Sequence, residues 1–343
     1  MLYALLGYFL SSMLNNQNLL QVKKTLEDHS SWFLKYRLLL LFGWLAVGSF
    51  LIPQFVNEYV TFVLISLVIN TILCMSLNLV NGYMGEFSLG HAAFMALGAY
   101  SSTMLTLYIT PSLPPLLLFP LAIVIGGLSA AIMSLPIALL SIKTRGDYLA
   151  VITLAFLMIV KSALENISSL GGTHGLLGIR GLTTLPWAYG CFLFTFWSLR
   201  NLLASKWGRS IRAIRDDEVA AEAIGISTRS LRIMTFVISS FFAGVAGVLF
   251  AHQIQFINPN SFNILKSTNI LVMVYLGGVA SLSGSCLGAG LFTLLYQLLQ
   301  PLGIWRSVMM PLLLVLLMIF RPSGMMGFRE WSWFSLTPAQ NKE

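Results

Sequence analysis

A chain of 343 residues that is 57% hydrophobic and only 9% charged, with a mean hydropathy of +0.82, lies far from soluble domains, where roughly 25% of residues are charged. The formal net charge of +8 would suggest a nucleic-acid partner in a soluble protein, but here the basic residues lie mostly in short loops between apolar runs. We therefore exclude nucleic acid as a partner and predict an all-α, polytopic integral membrane protein.

The first 37 residues are predicted to form a partly amphipathic N-terminal extension, to which we assign no function. Its apolar stretch 1–20 contains three asparagines, follows no basic region and has no clear small-residue cleavage site, so we expect no cleaved signal peptide. The membrane domain is predicted to cover 38–328. A cytoplasmic tail, 329–343, is predicted to follow it.

Apolar runs recur through the membrane domain at the length of about 20 residues that crosses a ~30 Å hydrocarbon core. They predict about 8–10 transmembrane helices, and ten runs lie near 38–52, 59–80, 87–109, 115–140, 148–165, 187–203, 231–254, 267–283, 284–300 and 304–320. With the N-terminus placed in the cytoplasm, all but four of the 20 Lys and Arg residues fall on the cytoplasmic side. The sequence therefore predicts a multi-pass protein with both termini in the cytoplasm.

The third of these runs is unlike a lipid-facing helix. Residues 82–100 contain four glycines together with Glu86, Ser88 and His91, and polar groups of this kind are costly inside a membrane. Non-helical backbone at membrane depth is tolerated only where protein or a water-filled cavity satisfies its polar groups. We predict a broken or re-entrant helix here, facing the interior of the bundle.

A second segment, 276–290, has the same enrichment in Gly, Ser and Ala and shares a loose pattern with the first. A pair of glycine-interrupted segments in the two halves of a membrane protein points to a path near the midplane. The alternative is that the small residues only allow close packing of helices. The sequence leaves both interpretations open.

The predicted outer loop from Glu165 to Pro186 contains five glycines with hydroxyl residues among them. Such a loop can turn backbone amides and carbonyls towards a small polar ligand, and long loops often carry function. A plain flexible loop is the alternative.

The longest charged interruption lies in a predicted cytoplasmic loop, 204–230. Arginines recur every third position at 209, 212 and 215, and Glu218 and Glu222 follow four apart, which is typical of an amphipathic helix that Gly225 then ends. Its aliphatic residues have no core to fill in so short a loop, and they are Ile211, Ile214, Val219 and Ile224. We therefore predict that this helix docks into a groove on a partner, with a solvated surface helix as the alternative.

Several kinds of chemistry are not visible in the sequence. It contains no G-x-x-x-x-G-K-[ST] phosphate loop and no H-E-x-x-H, and its three cysteines and four histidines are scattered singly. We predict no catalytic residue, no metal and no cofactor. Carboxylates that could carry a coupling ion near the midplane are also scarce, so we expect the energy for transport to come from a motor on a partner chain.

Six collinear segments resemble the membrane permease subunits of bacterial branched-chain (hydrophobic) amino acid ABC transporters. These segments are NLVNGYMGEFSLGHAAFMALGAY (78–100), TRGDYLAVITLAF (144–156), SSLGGTHGL (168–176), WGRSIRAIRDDEVAAEAIGI (207–226), NPNSFNILKSTNILVMVYLGG (258–278) and FRPSGMMG (320–327). The general importer pattern E-A-A-x-x-x-G is not reproduced literally in the 204–230 loop.

The resemblance implies a transport subunit of the bacterial inner (cytoplasmic) membrane that imports branched-chain or other hydrophobic neutral amino acids and is not itself an enzyme. It implies a second homologous permease, two cytosolic ATPases that hydrolyse ATP, and a periplasmic or extracellular substrate-binding protein as partners. A related importer for urea or short amides is an alternative. A polytopic membrane enzyme is a further alternative, and so is a channel or carrier that works without ATP.

Two sets of site residues follow from these interpretations. Small and hydroxyl-bearing residues are predicted to line or gate the route of a small zwitterion, namely Ser88, Gly90, His91, Thr153, Gly171, Gly172 and Thr173. Contact with an ATPase is predicted for Arg212, Ile214, Arg215, Asp217, Glu218, Val219, Ala221, Glu222 and Gly225. Within this second set we expect apolar burial to dominate affinity and the charges to set the register.

Overall fold

The computed structural model describes residues 53–109, 114–143, 147–303, 305–320 and 324–326, together with Gly43, Gly48 and Ser49. Its main helices are α1 (Glu58–Asn78), α2 (His91–Met104), α3 (Pro115–Lys143), α4 (Asp147–Asn166), α5 (Leu185–Ala204), α6 (Lys206–Asp216), α7 (Glu218–Ala223), α8 (Thr228–Ile254), α9 (Ile264–Gly277), α10 (Leu282–Leu298) and α11 (Trp305–Phe320). All of them belong to one compact unit, Ser49–Glu330. Within the described residues β structure is limited to a single bridge between Leu176 and Ile257.

The prediction of an all-α, polytopic membrane protein is confirmed. Four of the described helices are long and apolar enough to cross a membrane, namely Glu58–Met84, Pro115–Ile142, Tyr148–Asn166 and Thr228–Ile254. Nine of the ten predicted runs coincide with a helix, and the run near 38–52 lies almost wholly outside the described residues. The larger count of eight to ten spans stays a prediction.

The boundary predicted between 283 and 284 is wrong. Helix α9 already ends at Gly277 and α10 begins at Leu282, because the backbone turns sharply between them. Gly278 has φ 135° and Ala280 has φ 59°, conformations that cannot continue a right-handed helix. The tight turn places α9 and α10 side by side as a hairpin.

Close approach between helices is achieved through glycine. Helices α2, α3 and α8 pack together, and a Cβ atom added to Gly98 would lie 2.3 Å from the Gly244 carbonyl oxygen. In the α9–α10 hairpin, a Cβ atom on Gly277 would lie 2.0 Å from the Gly284 oxygen. The small residues of both glycine-rich segments therefore serve helix packing, as one of the two interpretations proposed.

The bundle has two opposite ends, each marked by contacts of its loops. At the loop end, which carries α6 and α7, Arg215 Nη1 donates to the Gly82 oxygen at 3.3 Å and Arg232 Nη1 donates to the Ser141 oxygen at 3.2 Å. At the far end, Leu176 pairs with Ile257. Helix α8 has 27 residues and, at 1.5 Å per residue, separates the two ends by about 40 Å.

Candidate functional site

The predicted break in the third apolar run is present. Helix α1 continues as a π-helical turn to Met84, and residues 85–90 are non-helical before α2 begins at His91. Asn81 holds this segment, because its Oδ1 accepts a hydrogen bond from the Ser88 amide at 3.2 Å. Gly85 makes the exit from the helix with φ 80°, a left-handed conformation that favours glycine.

Four of the predicted pathway residues meet at this break. The Leu89 amide donates to Thr153 Oγ1 at 3.0 Å, and a Cβ atom on Gly90 would lie 2.4 Å from the Thr153 carbonyl oxygen. His91 Nε2 lies 2.8 Å from Ser76 Oγ. Ser88, His91 and Thr153 are all buried, so the break lies inside the bundle as expected.

A residue that the sequence analysis did not single out, Asn78, joins this break to the second one. Its side chain is fully buried and its Oδ1 accepts from the Ala280 amide at 2.9 Å. Its Nδ2 donates to the Ser281 oxygen at 3.0 Å and to Ser285 Oγ at 2.7 Å. The two glycine-interrupted segments are therefore joined through Asn78. The presence of an asparagine in the apolar run before residue 82 was the sequence signal that could have indicated this contact.

The other three predicted pathway residues lie elsewhere. Gly171, Gly172 and Thr173 follow the far end of α4, and the helix from Thr153 to Asn166 spans roughly 20 Å. Gly171 has φ 80°, and the Thr173 oxygen accepts from Asn258 Nδ2 at 3.0 Å. The predicted pathway set is thus divided between the interior break and a structured turn at the far end.

The charged loop contains two helices instead of the one that the spacing predicted. Helix α6 ends at Asp216, and Asp217 has the extended backbone of an N-cap. Its Oδ1 accepts from the Val219 and Ala220 amides at 2.9 and 3.1 Å, which starts α7. Gly225, with φ 84°, ends α7 as expected.

Burial corrects part of the predicted docking face. Ile211, Ile214 and Ala221 are 0%, 5% and 2% exposed, because α6 packs on α5 and the π-turn while α7 packs on α8. Ile214 and Ala221 therefore stabilise the loop within its own chain and are closed to a partner. Val219 in α7 and Ile224, which directly follows α7, are 67% and 76% exposed, so they are accessible apolar side chains, and we refer to them as the exposed apolar face of α7.

Charged residues of the loop also have partners within the chain. Arg212 Nη2 donates to the Leu203 oxygen at 3.0 Å, and Glu222 accepts from Thr228 Oγ1 at 2.7 Å. Arg215 lies 3.1 Å from Asp216 Oδ1. These contacts fix the position of α6 and α7 on the bundle.

A buried ion-pair cluster is centred on Arg232, near the start of α8. Its Nη2 lies 2.8 Å from Glu218 Oε2 in α7 and 3.1 Å from Glu86 Oε1 in the break. One buried guanidinium is shared by carboxylates from two separate elements.

A metal site is not apparent in the part of the chain that the structure describes. No three His, Cys, Asp or Glu residues lie together there in a way that could hold a metal ion. The cysteines Cys74, Cys191 and Cys286, which all lie in the described residues, form no disulfide bonds.

A helical membrane bundle with two interior breaks and a rigid loop docked at one end defines a class of protein, the membrane transport components. The family model described as "Branched-chain amino acid transport system / permease component" matches residues 59–321, which include both breaks and the loop. The chain belongs to this family. It is therefore a multi-pass membrane protein and a transport subunit, as predicted, in place of an enzyme.

Individual relatives agree with the family. The high-affinity branched-chain amino acid transport system permease protein LivM of Escherichia coli (strain K12) is 32% identical over 290 residues, which cover 74% of this chain and 67% of LivM. A probable branched-chain amino acid transport permease protein LivM of Methanocaldococcus jannaschii is 29% identical over 231 residues, 60% of this chain and 66% of that protein. LivH of E. coli K12, a permease protein with the same description, is 31% identical over 129 residues, 37% and 41% of the two chains. No solved structure matches this chain.

Proposed function

We propose that this chain is the permease subunit of an ATP-driven importer of branched-chain or other hydrophobic neutral amino acids in the inner membrane. The observation that carries the proposal is the family match over 59–321, which runs through both helix breaks and the α6–α7 loop. The names of the relatives supply the substrate class, since LivM proteins of a bacterium and an archaeon are described as branched-chain amino acid permeases.

The importer contains further chains. Two E. coli permease proteins with the same transport description, LivM and LivH, are both similar to this chain, which supports pairing with a second homologous permease. The sequence of this chain contains no phosphate loop, so the energy comes from other chains of the importer. These chains are two cytosolic ATPases. A periplasmic or extracellular binding protein delivers the amino acid.

The ATPase docks on the exposed apolar face of α7. Val219 and Ile224 are exposed and accessible to the ATPase, while Ile214 and Ala221 are buried and pack the loop against its own chain. Burial of one such side chain contributes about 1.5–3 kcal/mol, more than the ~0–1 kcal/mol of an exposed ion pair, so the apolar contact dominates affinity. The other residues of the predicted ATPase-contact set determine the register and shape of the loop, namely Arg212, Arg215, Asp217, Glu218, Glu222 and Gly225.

The substrate passes the interior break and the far-end turn. Ser88, His91 and Thr153 present hydroxyl and imidazole groups around the break at 85–90, and a neutral zwitterion passes such groups without being held by a fixed charge. Gly171, Gly172 and Thr173 form the second level of the route. Both termini and the loop end face the cytoplasm, in agreement with the distribution of Lys and Arg.

The substrate is tested by uptake in cells that lack their own branched-chain amino acid importers and express this chain with its two ATPases, second permease and binding protein. Uptake of labelled leucine is expected, with competition by unlabelled isoleucine and valine and none by urea or acetamide. Competition by urea or acetamide, with none by isoleucine, would instead support the related importer for urea or short amides.

A further inference from the structure

The ion pairs of Arg232 join two separate structural elements. Of the ion pairs in the described residues, Lys161–Glu165 lies within one helix and Arg215–Asp216 joins neighbours in sequence. The Arg232 guanidinium pairs instead with Glu86 at 3.1 Å and with Glu218 at 2.8 Å. We call Glu86, Arg232 and Glu218 the shared-arginine cluster.

The cluster is shielded from solvent. The side chains of Arg232, Glu86 and Glu218 are 6%, 9% and 19% exposed, so water competes little for their charges. Arg232 also donates from Nη1 to the Ser141 oxygen at the end of α3. The guanidinium is thereby fixed to α3 and α8, and the two carboxylates are the partners that belong to smaller elements.

Those smaller elements are the ones with functions to connect. Glu218 is the first residue of α7, directly after the cap Asp217, and α7 carries the exposed apolar face proposed for the ATPase. Glu86 lies in the non-helical segment that continues through Ser88 to Gly90. A displacement of α7 therefore acts on the break through one guanidinium.

A second contact joins the charged loop to the region of the break, through Arg215 of α6. Arg215 Nη1 donates to the Gly82 oxygen at 3.3 Å, and a Cβ atom on Gly85 would lie 2.5 Å from Arg215 Cγ. The arginine side chain thus lies directly on the left-handed glycine that begins the break. The loop is in contact with the break at two points.

The Arg232 guanidinium carries one positive charge, whereas the two carboxylates that face it carry two negative charges. If α7 moves away, Arg232 still pairs with Glu86 and fixes the position of the break. If α7 moves inwards, the carboxylates of Glu86 and Glu218 compete for Arg232. A buried carboxylate that loses its cation is strongly disfavoured, so these arrangements are discrete alternatives.

We propose that Arg232 is a positioning residue through which the docking helix α7 controls the conformation of the break at 85–90. The proposal deepens the proposed function and rests on it, since it requires an ATPase on α7. Arg232 connects the two regions by pairing with Glu218 on one side and Glu86 on the other.

The test uses the complete complex, purified with its partner chains, in a background where Cys74, Cys191 and Cys286 are replaced by serine. A single cysteine, Phe87→Cys, reports on the break through its rate of reaction with a small maleimide. In the parent complex, ATP with vanadate is expected to change this rate by about fivefold or more, within the usual range of coupling between sites.

Arg232→Gln is expected to retain its ATPases but to reduce that change to less than about twofold. Arg229→Gln is the matched control, because Arg229 is exposed on the same helix and loses the same charge. It should behave as the parent does. Arg232→Lys, which keeps one cation but not the fork, should recover part of the change.

A parent-sized change in Arg232→Gln would overturn the proposal, and so would a parent complex whose break does not respond to nucleotide. If Arg232→Gln fails to assemble, Glu218→Gln decides in the same way, with Glu58→Gln as its control, because Glu58 is an exposed carboxylate at the start of α1. This assay needs ATP but no amino acid, so its result does not depend on whether the substrate has been assigned correctly. If the chain binds no ATPase, co-purification of the parent fails before any variant is compared.

Discussion

Two asparagines of the stretch NLVNGY each hold one interior break. Asn81 accepts from the Ser88 amide, and Asn78 accepts from the Ala280 amide while donating to two groups of the α9–α10 turn. A side-chain amide supplies both a donor and an acceptor, which irregular backbone inside a membrane requires. The breaks are therefore satisfied by protein groups.

Replacement of Asn78 tests this role. Asn78→Ala leaves the Ala280 amide without its hydrogen-bond acceptor, at about 1–3 kcal/mol for one unpaired buried group. We expect a clear fall in the apparent Tm of the detergent-solubilised complex. Asn166→Ala is the control, because Asn166 is exposed and bonds only to Ser162 in its own helix. An equal Tm for the two variants would contradict the assignment.

Gly90 supplies a second prediction at this scale. A Cβ atom there would lie 2.4 Å from the Thr153 carbonyl oxygen, so Gly90→Ala forces backbone apart at a cost of about 1–3 kcal/mol. The Tm should fall. In the control Gly290→Ala the added methyl meets nothing within 4 Å, and alanine favours helix by about 0.5–1 kcal/mol. A destabilised control with an unchanged Gly90→Ala would reverse our interpretation of the packing.

The bounds of most helices could be predicted from the sequence, because long apolar runs and charged loops carry that information directly. The runs 115–140 and 231–254 correspond to α3 and α8 within a few residues. The division of the charged loop at Asp217 and the turn at 278–281 could not, because side-chain hydrogen bonds to the backbone decide them. Periodicity does not report such local competition.

The docking face of α7 gives a prediction at the scale of an element. Val219→Asp replaces an exposed aliphatic side chain with a charge, and loss of about 1.5–3 kcal/mol of burial weakens ATPase association roughly 10- to 100-fold. Co-purification and substrate-stimulated ATP hydrolysis should fall together. Ala221→Arg is unsuitable for this purpose, because Ala221 is buried and the change would disturb the packing of the chain itself.

Ser227→Asp is the control for Val219→Asp. It adds the same charge at an exposed position of the same loop without removing an apolar contact. Normal ATPase association in Val219→Asp, or equal loss in both variants, would remove α7 as the apolar docking element.

Across the whole molecule, the arrangement of the site could be predicted only in part. Ser88, Gly90 and His91 are neighbours in sequence, so their shared place in the break was visible. The pairing of Arg232 with Glu86 and Glu218 depends on how α8 lies against the break and α7, which no local pattern encodes. The same applies to Thr153, whose contact with Gly90 comes from another helix.

The orientation of the bundle can be measured by labelling. Single cysteines at Thr173, at the far end, and at Asp216, at the loop end, are both exposed. An impermeant maleimide added outside intact spheroplasts should label Thr173→Cys rapidly and Asp216→Cys only after lysis. Rapid labelling of Asp216→Cys from outside would contradict cytoplasmic placement of the loop.

The central claim is that this chain conducts a branched-chain amino acid when ATP is hydrolysed by partners docked on it. The most direct measurement is uptake of labelled leucine into proteoliposomes that contain the purified complex, with ATP enclosed and the binding protein supplied on the opposite side. We expect uptake that requires both ATP and the binding protein, and that falls strongly in Val219→Asp. Leucine uptake of equal rate without ATP would contradict the central claim.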